Sequence, residues 1–134
     1  MEITVRHLGD VQFEAEARGH RIVCDQPSDN GGYDEGMTPP EFLLASLGTC
    51  AGFYVAQYLN AHSLQCPGLE IKVVAEKAAQ PARLASFHIG IFAPTLAPQH
   101  EAGVLRAVHK CLIHNTLLNP PQIETVVHCA ALQS

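Results

Sequence analysis

The chain has 134 residues, 47% of them hydrophobic and 16% charged, the composition of one folded domain that can bury a core. Its formal net charge is -5 and its eight Lys and Arg are scattered from Arg6 to Lys110, so there is no basic stripe to neutralise phosphates and nucleic-acid binding is excluded. The opening MEITVRHLGD lacks a secretory-signal pattern, which makes the cytoplasm the expected compartment. There, five cysteines without a CxxC are free thiols for chemistry or packing rather than a disulfide framework.

Glu2 to Asp25 mixes β-branched and apolar residues with polar breaks at Gly9-Asp10 and Gly19-His20, which predicts strands near Ile3–Leu8, Val11–Ala17 and Arg21–Cys24. Residues 26–40, QPSDNGGYDEGMTPP, are dense in Gly, Pro, Asp and Asn and read as a loop. Thr38 then serves as an N-cap, Pro39 as the first helical residue and Glu41 as the capping-box carboxylate.

From Pro39 a long helix is expected. At 100° per residue Leu43, Leu47, Cys50, Tyr54 and Tyr58 form one stripe, and Ala45, Gly48, Gly52 and Ala56 a small-residue face opposite. Both faces are expected to be buried, one against a sheet and one against another helix. No Asp, Glu, Lys or Arg occurs from Phe42 to Leu69, yet Ser46, Gly48, Thr49, Gly52, Gln57 and Asn60 make this a helix enclosed by protein rather than a membrane span.

After a break at residues 62–68, strands Leu69–Ala79 and Leu84–Phe92 form a hairpin, and a second helix runs from Pro98 to about His114 with Val104, Leu105, Val108, Cys111 and Leu112 as its apolar side. Pro120-Pro121 stops it, and a last strand, Gln122–Ala130, completes βββ-α-ββ-α-β. That is an α+β fold with no internal repeat and one domain over residues 1–134.

Cys50 lies twelve positions into the first helix counted from Pro39, beyond the reach of that helix's positive end. To be nucleophilic it needs a cationic partner, and Arg18 or Arg21 on the strands can supply one; without it, Cys50 is a core thiol. His109, Cys111 and His114 have no spaced fourth ligand, so no metal is expected. Cys24, Cys66 and Cys129 read as structural. Ser46 has no Gly-x-Ser-x-Gly context and the glycine loop is no P-loop, which removes hydrolase and nucleotide functions.

GGYDEGMTPPEFLLASLGTC (Gly31 to Cys50) and CLIHNTL (Cys111 to Leu117) resemble the two cysteine motifs of the OsmC and Ohr superfamily of thiol-dependent peroxidases, and the resemblance extends over nearly all of the chain. It implies an intertwined homodimer that reduces organic hydroperoxides without a cofactor in oxidative-stress defence. Carried over, Cys50 attacks the peroxide, Cys111 resolves the sulfenic acid, an arginine (Arg18, at the hairpin turn, ahead of Arg21) activates Cys50, and a dithiol reductant regenerates the pair. The family's glutamate after the first helix proline is here Pro40, and Glu41 falls about 180° from Cys50 on a straight helix. That departure leaves a second expectation, a small-molecule binding or interaction protein that keeps the fold without full peroxidase activity; Asp34 or Glu35 could orient the arginine in the first.

Overall fold

A computed structural model of the chain describes residues 1–130. Its elements are β1 (Thr4–Gly9), β2 (Gln12–Ala17), β3 (His20–Cys24), α1 (Pro39–Ala61), β4 (Glu70–Ala78), β5 (Arg83–Phe92), α2 (Glu101–Val108) and α3 (Leu112–Leu118), with single 3-10 turns at Ser28–Asn30 and Pro98–His100. The α+β class and the early order of elements are as expected.

β1, β2 and β3 form an antiparallel meander, with Glu16 opposite Arg21 and Phe13 opposite Cys24. Its apolar Val5, Leu8, Phe13 and Ile22 all remain exposed. β4 and β5 form a separate antiparallel hairpin.

The molecule is organised on α1. Its start is fixed as the sequence dictates: the Thr38 N–H and hydroxyl both donate to the Glu41 carboxylate, at 2.9 and 2.8 Å, which satisfies a donor that a helix start leaves open. The buried ridge is Leu47, Ala51, Val55 and Leu59, an i, i+4 line that shares Leu47 with the expected stripe and from there runs one position beyond it, while Cys50, Tyr54 and Tyr58 lie beside it half-buried. Ala51, Val55 and Leu59 meet Val104 and Val108 of α2, with Ile71, Ile89 and Ile91 closing the core from the hairpin. Each large aliphatic side chain so buried contributes about 1.5–3 kcal/mol.

The small-residue face does meet the sheet. A Cβ on Gly48 would stand 3.1 Å from Val73 Cγ2 and one on Gly52 3.6 Å from Ile71 Cγ1. Ala56, on the same line, is exposed instead.

Two expectations are corrected. The helix expected from Pro98 to His114 is broken: after α2 the chain leaves helical geometry at Cys111 (φ -55°, ψ 123°), which becomes the N-cap of α3 and accepts the His114 N–H on Sγ at 3.5 Å. Cys111 is in phase with Val104 and Val108 whether or not the helix is interrupted, so periodicity does not register the break. The last strand is the second. Residues 120–130 pair with no strand among the described residues, and with Ile123, Val126 and Val127 85, 73 and 80% exposed, no burial within the chain holds them to a sheet.

Candidate active site

Cys50, in the fourth turn of α1, and Cys111, at the head of α3, are brought together by the packing of α3 on α1. Both are free thiols, and they lie close enough for each to shift the proton affinity of the other. Cys111 is fully buried and Cys50 half-buried, so only Cys50 is open to a small reactant.

Their proton affinities are driven apart. Burial is the largest single effect on Cys50 and pushes its pKa up, but the Cys111 thiol and the backbone N–H groups of Ile113 and Leu112 together outweigh it, and the net shift is down. Cys111 is pushed up, first by burial and then by holding its proton toward Cys50. A buried thiol whose pKa is raised beside one whose pKa is lowered leaves the anion on Cys50, the less buried of the two.

The donors come from an unforeseen place. The positive end of α1 is too far away, as its length dictates, but the break at Cys111 opens a second helix start whose first N–H groups, Leu112 and Ile113, have no partner within α3. They take the role that the sequence assigned to a cation. A signal existed in the cysteine at the head of the LIHNTLL run, where N-cap residues with an acceptor side chain stand.

Arg18 sits at the turn between β2 and β3 in left-handed geometry (φ 53°), exposed to solvent. Arg21 is engaged by Glu16 at 2.7 Å and by Glu14 at 3.9 Å on the meander surface. Within one chain neither contributes to the shift of Cys50. Pro40 and Glu41 occupy the first turn of α1, and Glu41 is spent on Thr38, whose N–H holds its carboxyl below the ordinary range.

Asp34 and Glu35 are exposed, whereas the carboxylate that organises their loop is Asp25, fully buried. Asp25 accepts from the N–H groups of Gln26 (2.8 Å), Tyr33 (3.1 Å) and Glu35 (3.2 Å) and from Gln12 Nε2 (3.1 Å). Burial raises its pKa, and these four donors more than offset that, so it is lowered overall. Gly32 lies so close to Asp25 and the Gln26 carbonyl that no Cβ fits there. The loop reaching Thr38 is therefore built around one anion, which the sequence signals only as an acid followed by a glycine loop rich in free N–H groups.

Among the described residues no three His, Cys, Asp or Glu side chains converge as a metal-ligand set. Cys66 packs on the core, Cys24 ends β3 with its pKa raised by burial, and Cys129 is exposed.

Fold and site define an α+β protein with a paired-thiol centre at the joint of a long central helix and a short second one. Residues 32–126 match the family model described as OsmC-like protein, and the chain belongs to that family. Among curated proteins there is no match. Of solved structures, the chain is similar to an osmotic-stress-induced and detoxification-response protein of Psychrobacter arcticus, at 24% identity and a TM-score of 0.77, covering 85% of each chain. It is also similar to the OsmC-like protein of Mycoplasma pneumoniae, at 20% identity and a TM-score of 0.70 over 89% of this chain and 87% of that one. The organic hydroperoxide resistance protein OhrB of Bacillus subtilis has 16% identity and a TM-score of 0.56, covering 89% of this chain and 90% of that one. These identities establish the shared fold.

Proposed function

We propose that the protein is a cytoplasmic, cofactor-free, thiol-dependent reductase of organic hydroperoxides that works in oxidative-stress defence, with Cys50 as attacking and Cys111 as resolving thiol. The observation that carries this is the pair of neighbouring free thiols, with Cys50 half-buried and its pKa lowered and Cys111 buried and its pKa raised. The Cys50 thiolate attacks the outer peroxide oxygen, the O–O bond breaks, and the alkoxide leaves and is protonated to the alcohol, with Cys50 as sulfenic acid. Cys111 then attacks that sulfur; its S–H proton goes to the departing hydroxyl, water leaves, and a Cys50–Cys111 disulfide remains. A dithiol reductant restores both thiols by exchange.

Family membership and the names of hydroperoxide-resistance neighbours support the reaction class. A second copy of the chain is its structural partner in this proposal. The exposed apolar residues of the meander and of 120–130 need cover, and a partner's Arg18 could then approach Cys50, an arrangement one chain does not form by itself. The test is consumption of tert-butyl hydroperoxide with dithiothreitol as reductant. Cys50→Ser should abolish turnover, while Cys111→Ser should leave one turnover ending in a sulfenic acid; turnover that persists in Cys50→Ser overturns the assignment.

One observation favours a second reading, a binding protein of the same fold without full peroxidase activity. Pro40 stands where the family has its glutamate, and Glu41 is committed to the cap. That reading predicts no peroxide consumption by the native chain.

A further inference from the structure

The peroxide reaction has one requirement that the thiol pair does not meet. As Cys50 takes the outer oxygen, the inner oxygen departs as an alkoxide, a base comparable to hydroxide, whose conjugate acid has a pKa of about 15.7, and it needs a proton as the O–O bond breaks. The Cys111 thiol and the N–H groups of Leu112 and Ile113 act on the Cys50 sulfur itself, and neither arginine reaches it within one chain.

Tyr54 is positioned to meet that requirement. On α1, Phe53 and Tyr54 follow Cys50 by three and four residues, so at 100° per residue they stand about 60° to one side of it and about 40° to the other, one turn further along. Long side chains on a helix lean back over the turn before their own Cα, which carries both rings toward Cys50. The two rings meet edge to face, with centroids 5.2 Å apart and planes at 87°, a contact that steadies the Tyr54 ring. Of the chain's three tyrosines, Tyr33 donates its hydroxyl to Asp10, and the Tyr58 hydroxyl shares a hydrogen bond with His100 Nδ1 at 2.8 Å. Among the described residues none takes the hydroxyl of Tyr54, although its side chain is half-buried. A phenol so placed has its donor open to a partner from outside. The other hydroxyls near Cys50 do not: Thr49 donates to the Ala45 carbonyl at 2.7 Å, and Ser46, one turn earlier, leans away from Cys50 by the same rule.

We infer that Tyr54 is a further catalytic residue of the peroxide step, its hydroxyl donating to the inner oxygen of a hydroperoxide held at Cys50 and giving that oxygen its proton as the O–O bond breaks. This role rests on the hydroperoxide-reductase reading of the site. The thiolate's electron pair forms the S–O bond, the O–O pair leaves with the inner oxygen, and that oxygen takes the phenolic proton to become the alcohol. The tyrosinate then recovers a proton from water, which balances the one Cys50 released on becoming a thiolate. Phenols ionise at about pH 10, far below alcohols, so the transfer to an alkoxide runs downhill.

Single-turnover oxidation of Cys50 in the reduced full chain, followed by mass spectrometry, tests this with two oxidants: tert-butyl hydroperoxide, whose alkoxide needs a proton, and peroxybenzoic acid, whose benzoate does not. Alkylation by iodoacetamide reports on the Cys50 thiolate alone. Tyr54→Phe, which removes only the hydroxyl, should lower the hydroperoxide rate about 100-fold and leave the peracid and iodoacetamide rates within about twofold of the native chain. An unchanged hydroperoxide rate overturns the role and would leave Cys111 as the proton source. An equal fall for all three reagents overturns it too, by making Tyr54 a packing residue. A native chain whose Cys50 is alkylated but not oxidised by tert-butyl hydroperoxide overturns the reductase reading and this role with it, an outcome told apart because it needs no substitution. Should Tyr54→Phe not fold, 3-fluorotyrosine at all three tyrosine positions decides the matter: the more acidic phenol should raise the hydroperoxide rate severalfold and leave the peracid rate unmoved, and an equal response to the two oxidants overturns the role.

Discussion

At the scale of single residues, two groups decide most of the behaviour. Cys50 owes its depressed pKa to Cys111 and two amides, so removing the thiol donor in Cys111→Ala should move the pH midpoint of Cys50 alkylation by iodoacetamide upward; an unmoved midpoint would show that the two sulfurs do not communicate. Asp25 is the second. Its folded pKa is lowered from 3.8, so it contributes stability above that pH, and the contribution is lost as pH falls through the folded value. Acid unfolding followed by circular dichroism should thus show a steep loss below about pH 3.8 that is flattened in Asp25→Asn, which should also melt several degrees lower at neutral pH. Neither role is visible in residue type alone: an aspartate before a glycine loop reads as solvated until four donors are seen around it.

At the scale of elements, the start of α1 and the hairpin of β4 and β5 follow from local chemistry. Thr38 and Glu41 specify a helix start by their hydrogen bonds and Pro39 by its fixed φ, so the sequence places it to the residue. The joint between α2 and α3 does not follow, because the residues on either side of the break share one apolar phase. Close approach of α1 and α2 is set by Gly103, where a Cβ would lie 2.5 Å from the Tyr58 hydroxyl and 2.6 Å from its ring. Gly103→Ala should therefore cost about 1–3 kcal/mol by overpacking, measured by urea unfolding, despite the better helix propensity of alanine. A neutral or stabilising result would mean that Tyr58 moves aside freely.

At the scale of the whole molecule, the single chain leaves a three-stranded meander and an extended apolar segment without cover. The proposed dimer predicts a sedimentation mass twice the chain's 14.5 kDa, and removal of residues 121–134 should shift the protein toward monomer and aggregate. A full chain that sediments at 14.5 kDa would leave the exposed Ile123, Val126 and Val127 without this explanation. What the sequence determined by itself was the α+β class, the position and cap of the central helix, and the two cysteine segments, since caps, turns and hydrophobic period are local properties of a chain. Tertiary structure decided the rest. Which thiol carries the anion, which helix supplies its donors and which carboxylate holds the loop depend on groups distant in sequence that become neighbours only once burial has removed water from between them.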